Sequence, residues 1–269
     1  MLMNITRISV AAAVLTVATS SVGFASDFEA GYDAFQAGRF ERAHELWLPL
    51  AQAGDARAQF NIGVLYTEGR GVRRDKTRAI EWWRLAGEQG HARALHNLAL
   101  LHIGGVRGAQ DYDEALTYLT KAAEVGFANS QYTLGKMYHY GLGVTKDFGE
   151  SARYFTAAAQ QGFAKAAYNL GKAYRDGHGV AVDDTRSAAW FRVAAEAGYG
   201  KAQRHLARRL AKGRGVERND VEALMWAIVA ATQDVSGASE LRETIRLSLT
   251  ADQVKEAENR ARDFRPPAR

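Results

Sequence analysis

The chain contains no cysteine and only three prolines among its 269 residues. Without cysteine it has no disulfide, no thiolate nucleophile and no cysteine-ligated zinc, and it offers no thiol for the acylation that makes a bacterial lipoprotein. Pro266 and Pro267 lie at the extreme C-terminal end, so Pro49 is the only proline in the body of the chain. Because proline interrupts helices, this scarcity fits a mostly helical protein.

A long apolar run is also lacking, except near the N-terminus. Arg7 provides a positive charge, residues 8–18 are apolar, and Gly23-Phe24-Ala25 forms a small-x-small cleavage site. The apolar stretch is shorter than the about 20 residues that a membrane-spanning helix needs. We therefore expect residues 1–25 to be a cleaved signal peptide and the mature protein to be periplasmic or secreted, without membrane insertion.

What the sequence does contain is a register of 36 residues that returns five times. One column of small residues follows an aliphatic residue each time and consists of Gly63, Ala99, Gly135, Gly171 and Ala207. An aromatic column with the same spacing consists of Trp82, Tyr118, Tyr154, Trp190 and Trp226. A fixed period between 20 and 50 residues indicates stacked units, none of which buries its apolar face alone. From this column we expect truncation of Trp190 to alanine to cost about 3–5 kcal/mol.

One repeat, residues 57–94, shows how each unit folds. Residues 58–68 predict a first helix whose core stripe is Ala58, Ile62, Leu65 and Tyr66. The glycines of the following Gly-Arg-Gly-Val loop favour the left-handed conformation found just past a helix end. Asp75 is placed to cap a second helix, which Gly90 ends. The prediction is an antiparallel helix hairpin that packs on the next one.

The two ends of the array and one loop depart from this pattern. Residues 104–108 place their glycines differently and predict an altered turn, and residues 31–58 predict a further hairpin with a shorter loop. After residue 234 the register ends. Residues 239–249 predict a helix, and Thr250 with Gln253 predicts a capping box that starts an amphipathic terminal helix. Such a helix covers the open end of a solenoid.

The repeated pattern of aliphatic-Gly, Tyr, Gly-x-Gly-Val, an acidic residue or Asn, Ala, an aromatic pair, Ala-Ala and Gly resembles the Sel-one-like repeat family. These repeats are relatives of the tetratricopeptide repeats, and the resemblance covers roughly residues 31–234. It implies an all-α, right-handed α-solenoid of stacked helix hairpins. It also implies a non-enzymatic adaptor for proteins, of the kind that links envelope signalling or biogenesis components. The expected organisation is a signal peptide (1–25), a repeat array of about six units (26–235) and C-terminal capping helices with a basic tail (236–269).

The sequence lacks the motifs that are typical of nucleotide-binding loops and metal sites. No Gly-x-Gly loop has the third glycine of a dinucleotide site or the Gly-Lys-Ser/Thr of a phosphate loop. His91, His96 and His102 are close in sequence but form no His-Glu-x-x-His motif. We therefore expect no catalytic residue, no metal and no cofactor. The alternative is a cell-wall-associated hydrolase or a protein that binds cell-wall fragments, and a convergent acid–base pair in a closed pocket would favour it.

The resemblance to tetratricopeptide repeats implies that the first helix of each unit lines a concave surface. The positions that it assigns to partner binding are Arg57, Phe60, Arg93, His96, Tyr132, Lys136, Lys165, Tyr168, Lys172, Arg175, Lys201, Arg204 and Arg208. This surface is basic with interleaved aromatic residues, which suits an acidic or carboxylate-terminated peptide. Nucleic acid is excluded as a partner by the expected export. The competing interpretation is that long basic side chains merely solvate an open surface.

Overall fold

The computed structural model describes residues 27–105 and 110–267, and every regular element within these ranges is an α-helix. Helix α1 covers residues 27–36. The other helices are α2 (Phe40–Gln52), α3 (Ala56–Glu68), α4 (Lys76–Glu88), α5 (Ala92–Ile103), α6 (Tyr112–Glu124), α7 (Ala128–Tyr140), α8 (Phe148–Gln160), α9 (Ala164–Asp176), α10 (Asp184–Glu196), α11 (Gly200–Lys212), α12 (Asp220–Ala231), α13 (Ala238–Arg246) and α14 (Ala251–Asp263). The all-α prediction is confirmed, while the expected signal peptide lies outside the described residues. None of the helices in the described ranges has the length and apolar character needed to cross a bilayer.

The chain forms two compact units, Met1–Lys121 (unit 1) and Ala122–Arg269 (unit 2). Helices adjacent in sequence pack against each other from α2 to α5 in unit 1 and from α7 to α12 in unit 2, and α12 also contacts α13 and α14. We call the first helix of each 36-residue repeat the A helix (α3, α5, α7, α9 and α11) and the second the B helix (α4, α6, α8, α10 and α12). The predicted core stripe of the type repeat is confirmed, because Ala58, Ile62, Leu65 and Tyr66 are all buried.

Caps at both ends of the loops set the hairpins. The A helices α3, α7, α9 and α11 end at a left-handed glycine, as the loop motif predicts. The Asp75 carboxylate accepts hydrogen bonds from the backbone N–H groups of Thr77 and Arg78 and so caps α4. After α5, Gly104 has a right-handed conformation, and the left-handed glycine is Gly105, the 36-residue equivalent of Gly69. The altered turn predicted for residues 104–108 stays a prediction, because residues 106–108 lie outside the described residues.

The second glycine of each loop serves packing between repeats. Gly179 lies against the backbone at the start of α8, where a β-carbon would be 2.6 Å from the Gly149 nitrogen. Gly215 lies in the same way against the start of α10, with a β-carbon 2.9 Å from the Thr185 nitrogen. Real β-carbons do not approach backbone this closely, so a side chain would push the loop away from the preceding repeat. This close approach gives the Gly-x-Gly motif a structural reason.

The glycines of the 36-residue column make room for aromatic rings. A β-carbon at Gly135 would lie 2.6 Å from Phe155, and one at Gly171 would lie 2.9 Å from Phe191. In α4, α8 and α10 the buried aromatic is therefore one residue after the column singled out from the sequence, whereas in α12 Trp226 of that column is itself buried. Phe191 is fully buried, whereas Trp190 is only half-buried. The expectation for Trp190 was wrong because successive residues on a helix differ by about 100° in direction, and the core-truncation cost belongs to Phe191.

Buried glutamines link the ends of helices in alternate repeats, a feature that the sequence analysis did not identify. In the first of them the Gln59 side chain donates to the Ala51 carbonyl oxygen at 3.1 Å and accepts from Gln89 at 2.9 Å. The same pair of bonds recurs 72 and 144 residues later, at Gln131 with Gln161 and at Gln203 with Gln233. Because these buried amides have partners, they cost little to bury and fix the spacing of the helix ends.

Helices α13 and α14 follow the last repeat in unit 2. The capping box at Thr250 and Gln253 is present and starts α14. After α14 the chain is extended, and Phe264 packs edge-on against Trp226 with ring centroids 5.0 Å apart. Ala257, on the apolar side of α14, is fully buried in the core of unit 2.

Candidate functional site

The positions predicted to bind a partner lie on the side of the A helices that faces away from the buried stripe, with one exception. Arg57, Arg93, Lys136, Lys165, Lys201 and Arg208 are exposed, and Phe60, Tyr132, Tyr168, Lys172, Arg175 and Arg204 are partly buried. The exception is His96, which is buried. Burial lowers the pKa of His96 to about 4, so it is neutral at physiological pH. His96 is therefore a core residue of unit 1 and leaves the predicted surface.

In unit 2, two tyrosine rings of this surface are held in place by packing against neighbouring aromatic rings. Tyr132 packs between Phe155 and Phe163, with ring centroids 5.8 and 4.9 Å away. Tyr168 has the same position one repeat later, between Phe191 and Tyr199 at 5.8 and 5.1 Å. Burial raises the pKa of both phenols, so both stay protonated and can donate a hydrogen bond.

The cations of this surface differ in whether another group already holds them. Arg175 makes a two-pronged ion pair with the neighbouring Asp176 at 2.7 Å, and Arg204 donates to the Ser236 carbonyl oxygen at 3.0 Å. Six others have no carboxylate within 4.0 Å among the described residues: Arg93 in unit 1 and five cations in unit 2. We call these five the basic face of unit 2: Lys136, Lys165, Lys172, Lys201 and Arg208.

His205 belongs to the same surroundings, although the sequence analysis did not select it. Its ring stacks on Phe191 with centroids 4.8 Å apart and planes 9° from parallel. Burial, together with nearby arginines, lowers the pKa of His205 to about 4. The ring is therefore neutral, and the positive charge of the basic face comes from lysine and arginine alone. The sequence feature that could have identified His205 is its place in the 36-residue column that contains Asn61, Asn97 and Asn169.

In unit 1 the corresponding positions of α3 and α5 are apolar or already paired, except for Arg93, which is exposed and has no carboxylate within 4.0 Å among the described residues. Arg57 binds Asp55 at 3.1 Å and lies 4.1 Å from the centre of the Phe28 ring. At the position of Lys136 and its equivalents, unit 1 carries Val64 and Leu100. These two line a shallow groove of about 250 Å³, together with Thr67, Glu68, Trp83, Asn97 and Leu101.

The carboxylates whose pKa is lowered all have a structural reason for it. An Arg214 hydrogen bond lowers the pKa of Asp184, and the Arg175 pair lowers that of Asp176. Asp55 also has a lowered pKa, because its hydrogen bonds to the start of α3 and to Arg57 outweigh the cost of burial. In the described ranges, no three His, Asp or Glu side chains converge as a metal site would require.

Arg209 and Asp184 form an ion pair between neighbouring repeats of unit 2. The Arg209 side chain is 6% exposed and donates to the Asp184 carboxylate at 3.0 Å. The other oxygen of Asp184 accepts from Arg214 at 2.9 Å. At the position of Arg209, the other repeats carry Leu65, Leu101, Met137 and Ala173. The pair thus replaces an apolar contact of the repeat by a buried charge with its partner.

The model of the Sel1 repeat matches five consecutive segments of the chain, 56–91, 92–127, 128–163, 164–199 and 200–235. Together these segments are more than half of the sequence. The chain belongs to the Sel1 repeat family. The resemblance expected from the sequence is therefore confirmed, and the fold is a helical solenoid of the kind that commonly serves as a protein-interaction scaffold.

Two solved structures extend this result. The chain is 31% identical to c5321, described as a protective antigen of uropathogenic Escherichia coli strains with an SLR fold, and the TM-score is 0.77. That match covers 90% of this chain and 53% of c5321, so this chain spans about half the length of that relative. It is 28% identical to a Sel1 repeat protein from Oxalobacter formigenes, with a TM-score of 0.72 and coverage of 87% and 96% of the two chains. No curated protein matches the chain.

Proposed function

We propose that this Sel1 repeat protein is a non-enzymatic scaffold of the cell envelope whose unit 2 binds an acidic segment of a protein partner. The observation that carries the proposal is the basic face, where five cations without carboxylate partners surround two fixed tyrosine rings. Charge-assisted hydrogen bonds to carboxylates are stronger than neutral ones, and the rings offer packing area at little entropic cost. The N-terminal sequence pattern supports export to the periplasm.

Repeat geometry explains why an extended segment suits this surface. Side chains of successive A helices lie close to each other, since the Tyr168 ring centroid is 5.7 Å from that of His205 one repeat later. The cations of these helices recur every 36 residues. An extended acidic segment that runs across the A helices therefore meets equivalent charges in turn. The proposed partner is a protein with such an acidic stretch, as part of an envelope signalling or biogenesis complex.

The test is crosslinking of tagged protein, residues 26–269, in an envelope extract, followed by identification of the crosslinked partner peptides. A photoreactive residue at position 136 or 172 should attach to peptides rich in Asp and Glu. Reversal of three charges, Lys136→Glu, Lys172→Glu and Arg208→Glu, should abolish capture without lowering the melting temperature. The matched control reverses three exposed lysines outside the basic face, Lys121→Glu, Lys146→Glu and Lys255→Glu, and should leave capture unchanged.

A second assay isolates the chemistry from the identity of the partner. A fluorescently labelled glutamate-rich peptide should bind the natural protein and lose affinity in the triple variant, as measured by fluorescence anisotropy. Equal binding by both proteins would contradict the proposed role of the basic face. Recovery of cell-wall fragments alone in the crosslinking experiment would favour the wall-associated alternative instead.

A further inference from the structure

The loop that joins α3 to α4 in unit 1 forms one wall of a pocket that contains four cations. The pocket has a volume of about 760 Å³ and is lined by Tyr66, Val72, Arg73, Arg74, Asp75, Lys76 and Arg78. This volume falls in the range of about 300–1,000 Å³ that is usual for small-molecule sites. We call it the loop pocket. It is separate from the A-helix surface described above, and the sequence analysis did not identify it.

The charge of the loop pocket is not balanced by its single acid. One oxygen of the Asp75 carboxylate is used to cap α4, where it accepts from the Thr77 and Arg78 nitrogens at 3.0 and 3.1 Å. Its other oxygen lies 3.8 Å from Arg78. Arg73 and Lys76 have no carboxylate within 4.0 Å among the described residues. The pocket therefore carries a net formal charge of about +3, from four cations and one carboxylate.

Two of the arginines are held in place by neutral oxygens. The Arg74 Nε donates to the Thr67 carbonyl oxygen at 2.9 Å, and the Arg78 Nη1 donates to the Tyr66 hydroxyl at 3.1 Å. A guanidinium has five N–H groups, so each arginine keeps donors for a ligand. These contacts orient the charges at the pocket without neutralising them, which lowers the entropic cost of binding an anion.

Equivalent loops in the other repeats show that the fold does not require this charge. At the position of Lys76 the later repeats carry Tyr112, Phe148, Asp184 and Asp220, and at the position of Arg78 they carry Glu114, Glu150, Arg186 and Glu222. The last repeat also has arginines in its loop, but each of them forms an ion pair with an aspartate. Arg214 binds Asp184 at 2.9 Å, and Arg218 binds Asp220 at 2.7 Å. Unbalanced positive charge at this loop is thus particular to unit 1.

We propose that the loop pocket binds a phosphate group. A carboxylate has two oxygens and one negative charge, too few for four cations that converge on one pocket. A phosphate monoester has up to two negative charges and three strong acceptor oxygens, and guanidinium groups bind phosphate through paired hydrogen bonds. The volume leaves space for the group to which the phosphate is esterified. The phosphate is carried either by an anionic lipid headgroup or by a soluble molecule.

The experiment measures binding to three probes at about 0.15 M salt. The probes are vesicles that contain phosphatidic acid, whose headgroup is a phosphate monoester, vesicles of phosphatidylcholine alone, and inorganic pyrophosphate. Sedimentation reports vesicle binding, and calorimetry reports pyrophosphate binding. The test variant carries Arg73→Glu and Lys76→Glu. The control carries Lys146→Glu and Lys255→Glu, two exposed lysines that belong neither to the loop pocket nor to the basic face, and it makes the same change of net charge. Melting temperatures establish that both variants are folded.

The natural protein should bind at least one phosphate probe, and the test variant should lose about tenfold or more in affinity because two charge-assisted contacts become repulsive. The control should change by less than about twofold, because neither of its lysines lines the loop pocket and single exposed charges contribute little at this salt. Binding to phosphatidic acid vesicles alone assigns a lipid headgroup as the source, and binding to pyrophosphate assigns a soluble phosphate.

Two results would overturn the proposal: no binding to either phosphate probe, or an equal loss in both variants, which would indicate attraction by net charge alone. Binding to phosphatidylcholine vesicles as strong as to the anionic ones would overturn it too. The loop pocket and the basic face use different residues in different units. Failure of one proposal therefore leaves the test of the other intact.

Discussion

Unit 1 and unit 2 share one repeat framework but place their positive charge on different surfaces. In unit 1 four cations with one acid line the loop pocket, while the A-helix surface is apolar around Val64 and Leu100 and carries one unpaired cation, Arg93. In unit 2 the unpaired cations lie on the other of these two surfaces. Arg214 and Arg218 of the last loop are paired with acids, and the unbalanced cations lie on the A helices.

The difference shows which positions of a repeat are free to vary. Glycine caps, aspartate caps and ring-over-glycine contacts recur in both units because they determine whether a hairpin closes and packs. The exposed positions that recur every 36 residues do not determine whether a hairpin closes, so their charge can change from repeat to repeat at little cost in stability. We infer that these exposed positions determine the binding specificity of this chain. Four predictions, in order of decreasing effect, test this separation.

Removal of a buried ring should damage either unit equally. Trp83 and Phe191 fill the same position and are 3% and 0% exposed, so each change to alanine should cost about 3–5 kcal/mol in the free energy of unfolding. Urea unfolding followed by circular dichroism measures this cost. The matched controls Trp82→Ala and Trp190→Ala remove partly buried rings and should cost only about 1–2 kcal/mol. Equal losses in controls and test variants would contradict the assignment of the core column.

The Arg209–Asp184 pair exists only in unit 2 and should make that unit sensitive to loss of one charge. Asp184→Asn leaves the Arg209 guanidinium buried without its counter-charge. The expected cost is about 2–3 kcal/mol, below the full value for a buried pair because Asp184 is partly exposed. Lys76→Gln, at the equivalent position of unit 1, should change the unfolding free energy by less than about 0.5 kcal/mol. A cost near zero for Asp184→Asn would show that the pair adds no stability.

Acid should remove the contribution of the same pair. The pKa of Asp184 is lowered from 3.8, first by the hydrogen bond from Arg214 and then by Arg209, against a smaller opposing effect of burial. A lowered pKa in the folded state means that the carboxylate stabilises the protein above its unfolded pKa and loses this effect as pH falls through the folded value. The difference in unfolding free energy between the natural protein and Asp184→Asn should therefore be constant near pH 7 and shrink below about pH 4. A difference that stays constant down to pH 2 would contradict this cause.

The smallest effect is expected from making the surface of unit 1 resemble that of unit 2. Leu100 is 45% exposed at the position where Lys136 stands one repeat later. Leu100→Lys should change stability by less than about 0.5 kcal/mol. It should also raise affinity for the labelled glutamate-rich peptide by about twofold, because one exposed charge contributes little. Leu100→Gln is the uncharged control. A gain of the same size in that control would show that removal of an apolar side chain, not charge, is responsible.

Much of this architecture was predictable because its signals are local. The residues that cap and end a hairpin, such as Gly69 and Asp75, act within a few positions of their partners, and the same interval separates them in every repeat. The core stripe of α3 follows from helical periodicity in the same way. Most of the predicted surface is accessible for the complementary reason, since it lies opposite that stripe.

Other features depend on contacts between residues distant in sequence. The choice between Trp190 and Phe191 as the core aromatic turns on a rotation of about 100°, which only the glycine of the neighbouring helix fixes. His96 satisfies the spacing of a surface position but is buried in unit 1. The glutamine pairs join residues 30 apart, too far for any local pattern to indicate a hydrogen bond.

The sequence by itself determined the repeat length, the helix ends and the family, because these rest on spacing and on the backbone preferences of glycine and aspartate. Only the tertiary structure decided which cations are neutralised. Arg209 and Arg214 find Asp184 in the preceding repeat, 25 and 30 residues away, whereas Arg73, Lys76 and the basic face have no such acid among the described residues. The physical reason is that an ion pair requires two groups within about 4 Å, and that distance is set by how one hairpin packs on the next.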